Sequence, residues 1–125
     1  MAGSARSLIA IVDDDVSFRE ALAGLIKAFG YRVAAFGSAG DFLRSDATRE
    51  AACLVLDVQM PDLGGLELQD RLIAEGCGLP IIFVTASPDP APRRRALAAG
   101  ALAYLEKPCD QDVLLSHIRS VLEPV

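Results

Sequence analysis

Three adjacent aspartates, Asp13, Asp14 and Asp15, follow the apolar run "LIAIV" (8–12), and Asp57 follows a second run, "CLVL" (53–56). Two carboxylates about 4 Å apart repel by about 4 kcal/mol at an effective dielectric of about 20. Three that meet must be compensated, or one stays protonated. Oxygen ligands of this kind suit a hard divalent cation, and Mg²⁺ accepts a few carboxylates together with water. If Lys107 joins the group, the two positive charges of the metal and the one of the ammonium balance three carboxylates. A carboxylate held in this way can act as a nucleophile and form an aspartyl phosphate. Metal and lysine would offset charge on the transferring oxygens, because such chemistry is mostly positioning and electrostatics. A phosphoryl group carries about one more negative charge than the carboxylate it replaces. That excess would draw in the Thr85 hydroxyl, and Tyr104 is the bulky residue placed to fill the space left behind.

This chemistry requires an architecture that brings distant residues together. Five apolar runs recur, "LIAIV" (8–12), "YRVAAF" (31–36), "CLVL" (53–56), "PIIFV" (80–84) and "ALAYL" (101–105), with helical periodicity between them. Phe18, Leu22, Leu25, Ile26 and Phe29 form one stripe that Gly30 ends as a C-cap. Ser38 and Asp41 read as a capping box. Asp110 reads as the N-cap of a last helix whose apolar side is Leu114, Leu115, Ile118, Val121 and Leu122. Strict β–α alternation predicts a parallel sheet with helices on both faces. The first, third and fourth runs are apolar enough to be central strands, and Arg32 places the second at an edge. Right-handed crossovers then give the order 2-1-3-4-5. In such sheets the working site lies beyond the carboxyl ends of the strands, where the order reverses. Strands one and three become neighbours there, so the Asp13 cluster meets Asp57, with Thr85 and Lys107 on the same rim.

The 125 residues suit one domain over 1–125, with 52% apolar and 23% charged residues. The net charge of −5 argues against direct contact with nucleic acid. Apolar runs of this length cannot span a membrane, and "MAGSARS" has no apolar leader core. Cys53, Cys77 and Cys109 show no CxxC pairing, which fits a reducing cytoplasm. Cys53 reads as core, and Cys109 as an ordinary turn cysteine, with a reactive thiol as the alternative. Arg93-Arg94-Arg95 reads as a solvated helix face, with a partner patch as the alternative. His117 reads as exposed.

The motifs "IVDDD" (11–15), "LDVQMPDLGGLEL" (56–68), "VTAS" (84–87) and "AAGALAYLEKP" (98–108), with the terminal helix, resemble bacterial response-regulator receiver domains. The resemblance is nearest to the FixJ-like type and more distant to the single-domain chemotaxis regulator. It implies a flavodoxin-like (βα)5 fold and a phosphorylation switch driven by a sensor histidine kinase. Asp57 would be the phosphoacceptor. Asp14 would bind Mg²⁺ directly, Asp13 directly or through water, and the Gln59 backbone carbonyl would complete the protein ligands. Lys107 would pair with Asp57 and then with the phosphoryl group, and Lys107-Pro108 would be a cis peptide. Thr85 and Tyr104 would form a coupled switch. Gln59 and Ser87 would flank the water that ends the signal. Asp15, one place past the acidic pair, reads first as a helix N-cap and second as a metal neighbour. The face made by the fourth helix, fifth strand and fifth helix would rearrange, dimerise or control an output domain for transcription.

Two features depart from the family. Prolines 88, 90 and 92 in "SPDPAP" (87–92) should stiffen the loop and delay the fourth helix to near Pro92. Cys109 stands where related regulators carry a larger apolar residue. Two other functions compete. An aspartate-nucleophile phosphatase of the haloacid dehalogenase type would need an aspartate at Gln59 and a cap segment. A binding-only module would have no use for Asp13, Asp14, Asp57, Thr85 and Lys107 together.

Overall fold

The computed structural model describes residues 6–87 and 89–123. Pro88 lies outside the described residues, as do 1–5 and 124–125. Five strands, β1 (Leu8–Val12), β2 (Arg32–Phe36), β3 (Ala51–Leu56), β4 (Ile81–Thr85) and β5 (Ala103–Glu106), form one parallel sheet of order β2-β1-β3-β4-β5. Every residue of β1 and β4 is buried, whereas Arg32 and Ala35 of β2 are exposed. The central and edge assignments follow from that difference in apolar content.

Strand side chains alternate between two cores. Ile9, Ile11, Cys53, Val55, Ile82 and Val84 face α1 (Val16–Ala28) and α6 (Gln111–Leu122), meeting Leu22, Ile26, Leu114, Leu115 and Ile118. Ala10, Val12, Leu54, Leu56 and Phe83 face the opposite layer. That layer is α2 (Ala39–Leu43), α3 (Ala47–Glu50), α4 (Gly65–Ala74) and α5 (Pro90–Ala98). Phe42, Leu66, Leu68 and Leu72 fill it.

The helix ends obey local chemistry. Asp15 accepts from the Phe18 N–H at 3.1 Å, Ser38 from Asp41 at 3.1 Å and Asp110 from Asp112 at 2.8 Å, each an N-cap. Gly30, with φ +97°, follows α1 in the left-handed region that glycine reaches without strain.

The second crossover departs from a single helix. Ser45 Oγ donates to Phe42 O at 2.7 Å and accepts from the Ala47 N–H at 3.1 Å, breaking it into α2 and α3. The predicted fourth and fifth helices are therefore α5 and α6. Nor is α5 delayed to Pro92. It starts at Pro90, because Asp89 accepts from the Ala91 N–H at 2.9 Å. Prolines in a first turn remove only N–H groups that have no partner inside the helix.

Candidate functional site

Four side chains converge beyond the carboxyl ends of the strands. Asp13 closes β1 and is 2% exposed; Asp57 closes β3 and is 6% exposed. Asp14 is solvent-exposed. Carboxylate oxygens of these three residues lie within 4.8 Å of one another. Lys107, after β5, places Nζ 2.8 Å from Asp13 Oδ2 and 3.4 Å from Asp57 Oδ2.

The lysine was expected to pair with Asp57, and it stands nearer to Asp13. Asp13 is the more deeply buried carboxylate, so it gains more from a cation. The ammonium also sits 4.3 Å from the centroid of the Phe18 ring, a cation–π contact that helps fix its place. The Lys107-Pro108 peptide is cis.

Burial pushes the Asp13 carboxyl above the ordinary carboxylate range, and the charge of Asp57 adds to that push. Hydrogen bonds from Lys107 and from the Asp15 N–H, the latter at 2.9 Å, pull the other way without cancelling it. For Lys107 burial works to lower the pKa, but the hydrogen bond to Asp13 and the charges of Asp57 and Asp13 outweigh it, and the net shift is upward. One lysine among three carboxylates leaves the site short of positive charge. An oxygen-only donor set with that deficit fits a hard divalent cation.

Local backbone geometry keeps the carboxylates in place. Asp57 Oδ1 accepts from the Gln59 N–H at 3.2 Å. Gly65 opens α4 directly beneath the end of β3; a Cβ there would stand 2.1 Å from the Asp57 carbonyl oxygen. Only glycine permits that approach. Asp62, at φ +67°, turns the loop between them. Gln59, Met60, Pro61 and Asp62 border an open hollow that Asp14 also lines.

Thr85 and Ser87 form a second group beside the first. Thr85 is fully buried, and its Oγ1 accepts from the Ser87 N–H at 3.3 Å. Ser87 Oγ in turn accepts from the Asp89 N–H at 3.4 Å, which ties the end of β4 to the cap of α5. Tyr104 is buried with its ring 5.9 Å from that of Phe83, and its hydroxyl has no partner among the described residues. Burial, and then the charge of Asp57, push its pKa upward.

Arg19 is a residue the sequence reading missed. Its guanidinium donates to the Asp13 carbonyl oxygen at 2.6 Å and lies over Gly37, where a Cβ would approach within 3.3 Å. It braces the ends of β1 and β2 against α1. A basic residue in a first helical turn opposes the helix dipole, and that was the signal available. Two lesser expectations change. His117 is half-buried rather than exposed. Arg95 pairs with Asp70 at 2.5 Å and Glu67 at 3.7 Å, so it is not merely solvated. Cys109 lines an apolar groove with Phe18 and Leu114, and burial pushes its thiol up, away from the reactive range. Cys53, in the core as expected, is pushed up to about 12 by burial.

A doubly wound parallel sheet with an acid cluster at its switch point and a lysine from the last loop is the arrangement of a flavodoxin-like signalling domain. The match of residues 9–119 to the response regulator receiver domain shows that the chain belongs to that family, the phosphorylation-dependent switches of two-component systems. It is 40% identical over 117 residues to response regulator protein TmoT of Ectopseudomonas mendocina, covering 94% of this chain and 53% of the relative. It is 36% identical over 112 residues to transcriptional regulatory protein FixJ of Azorhizobium caulinodans, covering 90% and 53%. The crystal structure of FixJ-N superposes with a TM-score of 0.84 at 30% identity, covering 98% of each chain. The chain spans about half the length of the curated relatives it matches.

Proposed function

We propose that Asp57 accepts a phosphoryl group from the phosphohistidine of a sensor kinase, and that the resulting charge repositions Thr85, Tyr104 and α5. The observation that carries this reading is the convergence of Asp13, Asp14, Asp57 and Lys107 from the ends of β1, β3 and β5. An Asp57 oxygen forms the new P–O bond while the donor P–N bond breaks, and its electron pair leaves with the imidazole nitrogen. Lys107 stands where its ammonium can follow charge from the carboxylate to the phosphoryl oxygens.

Asp13, Asp14 and Asp57, with the backbone carbonyl of Gln59, would hold Mg²⁺. When bound, the ion supplies neutralising charge for the phosphoryl oxygens. The protein's own part is orientation. The Gln59 N–H and Lys107 hold the two Asp57 oxygens, and Arg19 and Gly65 fix the backbone on either side. In this reading Gln59 and Ser87 flank the water that later hydrolyses the acyl phosphate, and neither is a strong base.

Residues 1–125 form the receiver unit of this reading, working on an output domain for transcription or on a partner. The face formed by α5, β5 and α6 is the surface that transmits the change or dimerises. Direct nucleic-acid contact is left to other regions because the unit is acidic. Free thiols at Cys53, Cys77 and Cys109 suit the cytoplasm, and among the described residues no helix is long and apolar enough to cross a membrane.

Acetyl phosphate with Mg²⁺ should add one base-labile phosphoryl group to the intact protein, detected by mass. Asp57→Asn should remove that increment entirely, and chelation of Mg²⁺ should suppress it in the wild type. Undiminished labelling of Asp57→Asn would overturn the assignment.

A further inference from the structure

Two buried side-chain polar atoms have no hydrogen-bond partner among the described residues, Gln69 Oε1 and Tyr104 Oη. Both border α5. Tyr104 lines a hollow with Pro90 and Arg93 of that helix. Gln69, on α4 and 2% exposed, sends Nε2 across to the Ala96 carbonyl oxygen of α5 at 3.0 Å. A carbonyl can only accept, so the amide nitrogen must face α5 and the amide oxygen is the atom left over.

Packing does not explain a glutamine at this position. The Ala96 carbonyl also accepts from the Ala101 N–H at 3.0 Å, so it would stay satisfied without Gln69. An apolar side chain of the same length would fill the space and strand no oxygen. A buried polar group kept against that disadvantage is best understood as fixing position. Among its neighbours α5 has most need of it. Ala96 is its one buried residue, whereas α4 buries Leu66, Leu68 and Leu72 and α6 buries Leu114, Leu115 and Ile118. The other tie from α5 to α4 is Arg95 with Asp70 and Glu67, side chains about half exposed, and such pairs contribute little.

We infer that Gln69 is a positioning residue for the switch, the hydrogen bond its side-chain amide donates to the Ala96 carbonyl oxygen holding α5 against α4 in the resting arrangement. Removing that bond frees α5 without weakening the rest of the fold. The consequence for phosphorylation rests on the function proposed above; the local freedom of α5 does not.

The test is amide hydrogen exchange on Gln69→Met, in unphosphorylated protein without Mg²⁺. The α5 amides should exchange about fivefold faster, the factor expected when one hydrogen bond of ordinary net worth is lost. Exchange in α1 and α6 should not change, and the urea midpoint should not fall. With Mg²⁺ present, half-saturation by beryllofluoride should move down by a similar factor, because less free energy is needed to release α5. Unchanged exchange in α5, or acceleration spread evenly over α1 and α6, would overturn the inference. Faster α5 exchange with no beryllofluoride response in either protein would support Gln69 as a tether and count against the phosphorylation reading instead. Should the variant not fold, the wild type decides. One Gln69 side-chain amide proton should resist solvent exchange at rest and lose that protection with beryllofluoride. Rapid exchange of both protons at rest would overturn the assignment.

Discussion

The two helices that flank β5 in sequence are attached in opposite ways. Helix α6 presses Leu114, Leu115 and Ile118 into the core, and its far end is tied down again. There the Tyr31 hydroxyl donates to the Glu123 carboxylate, and Arg119 lies 5.3 Å from the centroid of the Phe29 ring. Helix α5 buries Ala96 alone and is held by polar contacts to α4 and by the Asp89 cap. Apolar burial is non-directional but close-packed, so it holds a helix in place until the core itself opens. A few directional bonds can be exchanged one by one. A domain that must change one face while keeping its site intact therefore needs both kinds of attachment, and here they meet across one strand.

The sharpest way to break this comparison is to weaken each helix in turn. Leu114→Ala should cost about 2–5 kcal/mol in urea unfolding, as truncation of a buried leucine does. Leu97→Ala on α5, at a side chain 39% exposed, should stay within about 0.5 kcal/mol. Similar losses at the two sites would show that α5 is packed like α6.

The far end of α6 gives a pH signature. Burial first, and then the bond to Glu123, push the Tyr31 pKa up to about 12. A folded value raised above the ordinary tyrosine value of 10.0 means that the contribution is fully present below pH 10. It is lost as pH rises through about 12. Tyr31→Phe should lower stability at neutral pH by about 1 kcal/mol and flatten the alkaline loss between those limits. An unchanged alkaline unfolding curve would remove Tyr31 from the account.

The caps sharpen the contrast further. Asp89→Ala and Asp110→Ala each delete a side-chain N-cap worth about 1 kcal/mol. At Asp110 the cost should appear in global stability, because α6 unfolds with the core. At Asp89 it should appear mainly as faster amide exchange confined to α5, with a smaller change in the urea midpoint. The reverse distribution would mean that α6 is the looser helix.

Much of the site was legible because each contributor ends a strand. The position of Asp13, Asp57 and Thr85 follows from apolar runs and strand order alone, and Lys107 from the loop after the last run. The caps at Asp15, Ser38 and Asp110 were equally plain, since side-chain oxygen and backbone N–H are only two or three residues apart. Contacts between elements distant in sequence were not legible. Gln69 looks like any helix residue until α5 is placed beside it, and Arg19 reaches the Asp13 carbonyl only when α1 folds over the end of β1. The start of α5 was misplaced because the prolines were read as obstacles to a helix. In a first turn they are compatible with one, provided that Asp89 caps it. The break between α2 and α3 depends on which way the Ser45 hydroxyl turns, a choice that periodicity does not record.

The central claim is that one carboxylate, at the end of β3, carries the phosphoryl group while its two neighbours serve charge and geometry. Reduction of the acetyl phosphate-treated protein with borohydride converts an acyl phosphate at aspartate into homoserine, and peptide mass spectrometry then locates it. The account predicts homoserine at residue 57 and at neither 13 nor 14. Homoserine at Asp13 or Asp14, or none in a protein that has gained the phosphoryl mass, would contradict it.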